Sequence, residues 1–538
     1  MKQALLSALG VSALAMAGCG GGGGSSPTSS PVVTPPPSGN VFTQGQFAPS
    51  SQFKDSCAAP RAGTNDRQGT DSDERFWLRS WSDELYLWYD EITDQNPANF
   101  ANKFEHFDAL KTDRVTASNN PVDRFHFEIP TDEYQQLSSG GASAGYGWQL
   151  ALLNRTTPRD IRIAYTYGNT QGAQNAGRGA KIVEVDGVDV VNGGSQADVN
   201  TINAALFPDN VGETHNFTVE DPDGTRRSFT VSAESVVEPP VLLTRTFPVS
   251  DGAGGQTTAG YIMLTTFGTR PTEKALFDAF AAFEAAGVEE LFVDLRYNGG
   301  GFLDISAEMG YMIAGSANTQ GKTFDRLIFN DKYPTTNPVT NRELTPTPFY
   351  SRSLGFDPDL LAEGVALPSL NLDRVSILST DDTCSASEAL INGLVGADVD
   401  VQLVGTTTCG KPYGFYPTDN CGTTWFTIQF RGANDRGFGD FADGFSPVQT
   451  GATFQDQVQG CTIADDFSKP LGDVTENLLE YAIARRTDGA CPVAQASAPE
   501  TVFKVIEGGP ETAIGMTPRL RARELFETGA IRERESAR

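Results

Sequence analysis

The chain has 538 residues, 39% of them hydrophobic, which is long enough for several domains with buried cores. Its formal net charge of -28 argues against nucleic acid as a partner, since phosphate binding needs clustered Lys and Arg to displace counterions.

Lys2 precedes an apolar run from Ala4 to Ala17 that is too short to span a bilayer permanently, so residues 1–18 read as a secretory signal. Ala17 and Gly18 lead into Cys19, which resembles a bacterial lipobox with Met16 where leucine is usual. That resemblance implies that Cys19 is lipidated and becomes the mature N-terminus. Gly20 carries no acidic retention signal, so the expected location is periplasm-facing, lipid-anchored on the outer membrane. Gly, Ser, Pro and Thr dominate from Gly20 to about Gly45, and residues 19–56 are assigned to a disordered tether.

With Cys19 set aside, Cys57, Cys384, Cys409, Cys421, Cys461 and Cys491 remain, an even number that suggests disulfides in an exported chain. No spacing is CxxC, so a zinc site is not expected. Cys409 and Cys421 bracket a short loop and are the expected pair.

Glu74 to Ile92 places Trp77, Trp81, Leu85 and Trp88 at helical spacing, predicting a core-facing helix in a small helical domain over residues 57–136. In the unit 137–239, Ile161–Tyr167 and Lys181–Asp186 alternate like strands, Thr201–Phe207 reads as helix, and Asp223-Gly224 turns a hairpin. NAGRGAKIVEVDG, Asn175 to Gly187, resembles the middle of a PDZ domain, and GYGWQL, Gly145 to Leu150, its carboxylate-receiving loop. The resemblance implies peptide contacts at Gly145, Tyr146, Gly147 and Trp148, with substrate C-termini added as a strand. GASAG, Gly141 to Gly145, fits a nucleophile elbow by letter, but no apolar strand precedes it and no helix follows.

Residues 240–485 repeat strand and helix, predicting an α/β domain with parallel crossovers. Residues 486–538 form a tail whose last stretch either makes a charged helix or stays mobile. Three segments of the α/β domain carry chemistry. DLRYNGGG, Asp294 to Gly301, ends a strand in glycines whose amides can stabilise an oxyanion. TCSASEALINGL, from Thr383, puts Ser385 at a helix N-terminus, where Ser385 and Glu388 also fit a plain capping box. GTTTCGKPYG, from Gly405, puts Lys411 on a loop after the next strand. Adjacent parallel strands would bring these loops together at one sheet edge. His106, His126 and His215 all fall outside this domain, so a serine/lysine pair is expected rather than a histidine triad, with the lysine buried to lower its pKa.

Together the segments resemble the C-terminal processing, or tail-specific, serine proteases: DLRYNGGG their DLRxNxGG, TCSASE their serine segment, GTTTCGKPYG their GxxTxGKG. The resemblance covers residues 70 to 485 and implies a multidomain α/β protein. Its expected parts are a small helical N-terminal domain, a PDZ-like β domain and a crotonase-like (ββα spiral) protease core. It implies Ser385 as nucleophile, with Ser387 as fallback, and Lys411 as general base, with no metal or cofactor required. Ala386 with Gly300 or Gly301 would form the oxyanion hole, and protein or peptide substrates with exposed C-termini would be cut. Pro412 stands where the family has glycine, and Phe415 where it often has a lysine-orienting glutamine, which leaves the third catalytic residue unassigned. A catalytically inactive, peptide-binding envelope scaffold is the competing reading.

Overall fold

The computed structural model describes residues 40–452, 455–492 and 514–515, and the backbone of residues 530–531. The expected secretory signal, Cys19 and the start of the expected tether lie outside the described residues. Among the described residues no helix is long and apolar enough to cross a membrane.

Helix α1 spans Asp71–Leu85 and starts at a Thr70/Asp73 capping box, with Asp71, Asp73 and Glu74 in its first turn. It buries Phe76, Trp77 and Trp81, whose indoles stack at 4.9 Å. The helix stops short of Trp88. Tyr86 turns to extended backbone, and Leu87 donates its N–H to Ile428 O instead of continuing the helix. Residues ahead of Cys57, placed in the tether by composition, pack here as well: Ala48 and Phe53 are buried, and Ser50 N–H donates to Glu84.

This N-terminal region shares its core with the far end of the chain. Trp425 fills the cluster around Trp77 and Phe107. Strand β1, Phe127–Pro130, pairs with a distant strand at Thr423–Phe426, and Cys57 is bonded to Cys421.

The next unit is a β domain. Strands β2 (Ser143–Gly145), β3 (Trp148–Asn154), β4 (Asp160–Thr166) and β5 (Lys181–Val185) lead to helix α2 (Gln196–Leu206). Strands β6 (Thr214–Glu220), β7 (Arg226–Ser232) and β8 (Glu234–Val236) follow. The main sheet runs β7-β6-β5-β4-β3, so β3 lies at its edge, while β2 pairs with β8. Helix α2 starts at Gln196, about a turn and a half before the Thr201–Phe207 reading, because Ser195 and Asp198 form a capping box there, and it ends at Leu206.

The largest layer is a seven-stranded sheet. Strands β9 (Val241–Ser250) and β10 (Gln256–Leu264) are followed by α3 (Pro271–Ala285) and β11 (Glu290–Asp294). A two-residue strand β12 (Gly301–Phe302) enters α4 (Leu303–Thr319), and β13 (Arg374–Ser379), α5 (Ala386–Gly396) and β14 (Asp400–Gly405) come next. Strands β15 (Tyr413–Gly414), β16 (Thr423–Phe426), β17 (Ser446–Val448) and β18 (Gln457–Thr462) precede α6 (Asn477–Asp488). The sheet order is β9-β10-β11-β13-β14-β18-β17, antiparallel only at β9/β10. Alternate faces are covered by different helices: Leu276, Phe280, Ile305 and Leu390 pack on one side, Leu478 and Leu479 of α6 on the other.

The expected Cys409–Cys421 bridge does not form. Cys409 is bonded to Cys384 with their Cα atoms 5.2 Å apart, and Cys461 to Cys491. Proximity in sequence misleads here because β13 and β14 are neighbours, which sets Cys409 beside the residue before Ser385. The chain after Lys411 instead carries Cys421 away to the hairpin that abuts Cys57.

Candidate active site

Strands β11, β13 and β14 lie side by side and parallel, with Asp294 opposite Leu378 and Leu378 opposite Val404. All three therefore end at one edge of the sheet, and the glycine, serine and lysine loops emerge there together.

Ser385 is buried at the mouth of α5 with φ 58° and ψ -108°, a left-handed conformation that a non-glycine residue holds only when its surroundings enforce it. Among the described residues its Oγ has no hydrogen-bond partner. Ser387, by contrast, donates its hydroxyl to Asn298 O at 3.0 Å and is tied into the fold. Glu388 accepts the Ser385 N–H at 2.9 Å, the bond a capping box requires, but its carboxylate does much more. It also receives Thr408 Oγ1 at 2.5 Å, Gly410 N–H at 2.8 Å and Lys411 N–H at 2.8 Å. Burial pushes the Glu388 carboxyl up, and these four donors oppose the shift. The helix cap is thus also the post around which the lysine loop is wound, and the Cys384–Cys409 bridge joins the same two segments covalently.

Lys411 is 1% exposed. Its Nζ lies 4.5 Å from the ring centre of Phe125 and 4.4 Å from that of Phe415. Desolvation in this aromatic slot holds the amine well below the usual lysine range, with Arg124 adding to the fall and Asp123 and Glu388 resisting it. Phe415 therefore walls the lysine and makes no hydrogen bond with it through a side chain. Three of the slot's residues come from the N-terminal region: Phe125, the buried Asp123, and Arg124, whose guanidinium donates to Cys409 O at 2.5 Å. No local pattern marks that stretch, and sequence reasoning missed it. Neighbouring His126 stays structural, bonded through Nε2 to Phe107 O at 2.9 Å.

The glycine loop closes the site. Gly300 and Gly301 have φ of 116° and 130°. A Cβ on Gly300 would stand 2.8 Å from Ser385 Cβ and 3.0 Å from Ala386 N, and one on Gly301 would meet Gly268 N at 2.1 Å. Gly300, Ser385 and Ala386 are thus in contact, although the Gly300 N–H donates to Asn298 Oδ1 at 2.9 Å. Ser385 and Lys411 open onto one cavity walled by Leu303, Phe324, Tyr413 and Phe430. Cys384, Glu388 and Cys409 come close enough to suggest a metal cluster, but both sulfurs are committed to the disulfide.

The expected peptide-binding residues lie elsewhere, in the β domain. Tyr146 and Trp148 turn their side chains into that domain's core, with Tyr146 Oη donating to Ala205 O at 2.9 Å. Gly147, at φ 73°, is pressed against Tyr167 and Thr170, and Gly145 pairs with Glu234. Ser143 of the GASAG stretch sits in β2, with no helix behind it.

The β domain meets the active-site loop through Arg178. Its guanidinium pairs with Asp465 at 2.6 Å and donates to Tyr297 Oη at 2.9 Å. Asp465 also pairs at 2.6 Å with the fully buried Arg296, which bonds Asp294 and Glu476 as well.

Residues 258–415 match peptidase family S41. Among solved structures, a Bacteroides fragilis protein assigned to the S41 proteases shares the fold, with a TM-score of 0.55 and 22% identity over 77% of this chain and 97% of its own. The photosystem II D1 C-terminal processing protease aligns at a TM-score of 0.42 and 18% identity, over 71% of this chain and 92% of its own. No curated protein matches in sequence. The matched residues run from β10 to Phe415 and so include all three loops of the site: this chain carries a domain of peptidase family S41, the C-terminal processing protease family.

Proposed function

We propose that the protein is a serine endopeptidase acting through a Ser385/Lys411 dyad. The observation that carries this reading is the pairing of an Oγ without a hydrogen-bond partner with a deeply buried lysine on one cavity wall. Ser385 Oγ attacks the peptide carbonyl as Lys411 Nζ takes its proton. The amide of Ala386, with that of Gly300 or Gly301, receives the oxyanion. Of the two glycines Gly301 is favoured, because the Gly300 amide is engaged by Asn298. Lys411 returns the proton to the leaving amine, and water, deprotonated by the same amine, releases the acyl group. The cavity's Leu303, Phe324 and Phe430 favour an apolar side chain next to the cut.

The β domain in this reading is PDZ-like, and the core crotonase-like. The sheet's terminal strand β3 accepts substrate C-termini by strand addition. Lipidated Cys19 holds the enzyme on the periplasmic side of the outer membrane, which radiolabelled palmitate and a Cys19→Ala variant would test.

The deciding experiment offers an unfolded protein with an apolar C-terminal tail to the parent and to Ser385→Ala and Lys411→Ala variants of unchanged circular dichroism. Cleavage by the parent alone supports the dyad. Equal binding by all three with no cleavage would make the protein a peptide-binding scaffold.

A further inference from the structure

Two short pieces of the C-terminal tail are among the described residues, and each lies where a peptide would be handled. Ile514 is wholly buried and belongs to the β-domain core. Its N–H donates to Arg155 O at 3.1 Å, just past the end of edge strand β3. Gly515 N–H donates to the buried Asn203 Oδ1 of α2 at 2.9 Å. Gly515 has φ 77°, and a Cβ there would stand 3.4 Å from Leu152 of β3 and 3.9 Å from Phe207 at the end of α2. With its side chain wholly buried, Ile514 makes an anchored contact between the edge strand and the helix.

The second piece is strand β19, Ala530–Ile531, which pairs in parallel with β12, Ala530 opposite Gly301 and Ile531 opposite Phe302. The other edge of β12 is already taken, since Phe267 N–H donates to Gly300 O and Phe302 N–H to Phe267 O. β19 also runs beside β15, the strand that follows Lys411. It therefore lies between the glycine loop and the lysine loop, one residue from the Gly300 that touches Ser385. A substrate backbone must lie there to present its carbonyl to Ser385. The fifteen steps from Gly515 to Ala530 can span about 50 Å when extended, ample for one tail to make both contacts.

We infer that the C-terminal tail is a ligand of its own chain: Ile514-Gly515 anchors it in the β domain, and Ala530-Ile531 occupies the substrate strand as a pseudosubstrate. The inference rests on the reading of Ser385 as a peptidase nucleophile. Tethering gives the tail an effective concentration in the millimolar range, so peptides in trans compete at a disadvantage. The same contacts define the ligand class of the β domain as a turn segment with a branched aliphatic residue followed by a glycine at positive φ.

The test compares the full chain with two full-chain variants, Ile514→Asp and the pair Ala530→Pro with Ile531→Pro, on a fluorogenic apolar peptide. Proline removes the N–H groups a strand needs and lies outside the β-domain core, so it remains informative if Ile514→Asp misfolds. Both variants should lower the apparent KM about tenfold with kcat unchanged, and a synthetic peptide of residues 510–538 should restore the parent's KM. Unchanged KM in the proline variant overturns the inference, as does Ser385-dependent loss of the tail from the parent by intact mass. If no protein cleaves, the peptidase reading fails, and binding of the labelled 510–538 peptide decides separately. Exclusion from the parent but capture by the variants upholds the cis ligand, and equal binding to all overturns it.

Discussion

The carboxylate of Glu388 accepts the backbone N–H of Lys411 at 2.8 Å, so the helix carrying Ser385 also fixes the loop carrying the lysine. A buried carboxylate taking four donors has no spare acceptor, and an amide in its place would point an NH2 group at two of them. Glu388→Gln is expected to lower stability by about 1–3 kcal/mol in chemical denaturation. Because it shifts Lys411 relative to Ser385, it should also reduce kcat up to about 100-fold while KM changes little. An unchanged kcat would reduce Glu388 to a helix cap.

In the proposed dyad, Lys411 makes activity depend on pH with a defined sign. Only the neutral amine can take a proton, and burial lowers its pKa, so kcat/KM should rise with pH through that depressed value and level off below the usual lysine range. Phe415→Gln brings a polar group to the slot and should move the rising limb to higher pH. A limb that stays in place would mean another group controls it.

The same shift appears in stability. Between the lowered pKa and the ordinary value near about 10.4, the unfolded chain binds the extra proton, so stability rises with pH and the lysine is a net cost at neutrality. Lys411→Met should melt above the parent at pH 7, with the gap narrowing as pH approaches about 10.4. Parallel melting curves across that range would contradict a neutral buried amine.

The Cys384–Cys409 bridge abuts both proposed catalytic residues. Removing a loop of this length costs about 3 kcal/mol by chain entropy. A Cys384→Ser/Cys409→Ser variant should melt lower and lose most of its kcat, whereas opening Cys461–Cys491 should affect melting alone. Equal kinetics in the two variants would separate the bridge from the site.

Gly300→Ala tests the closest approach in the site. Its Cβ would sit 2.8 Å from Ser385 Cβ at a φ of 116°, so backbone and Ser385 must both move. A folded protein with at least about 100-fold lower kcat is expected. Wild-type turnover would show that the loop stands away from the reaction.

Much of this site was legible because its signals are local. A strand running into NGGG, a serine at a helix start and a lysine after the next strand are each contained in about ten residues, and parallel register then forces them together. What escaped was either doubly explained or remote. Glu388 already satisfied a helix-capping pattern, so nothing in its spacing pointed to Gly410 and Lys411. Phe125 and Arg124 reach the lysine loop across nearly three hundred residues, and Cys57 finds Cys421 across 364. Such contacts follow from how the N-terminal region folds back on the β16 hairpin, which no local periodicity encodes.

Arg178 gives the β domain a mechanical role. Its guanidinium is wedged between the Asp465 carboxylate and the Tyr297 hydroxyl, three positions before Gly300. A swing of the β domain away from the sheet would have to unpair a desolvated cation and expose Arg296 to the same loss, at several kcal/mol per ion. If a peptide is held at β3 as proposed, Arg178 is the contact through which traction on it would reach the Tyr297–Gly301 turn beside Ser385.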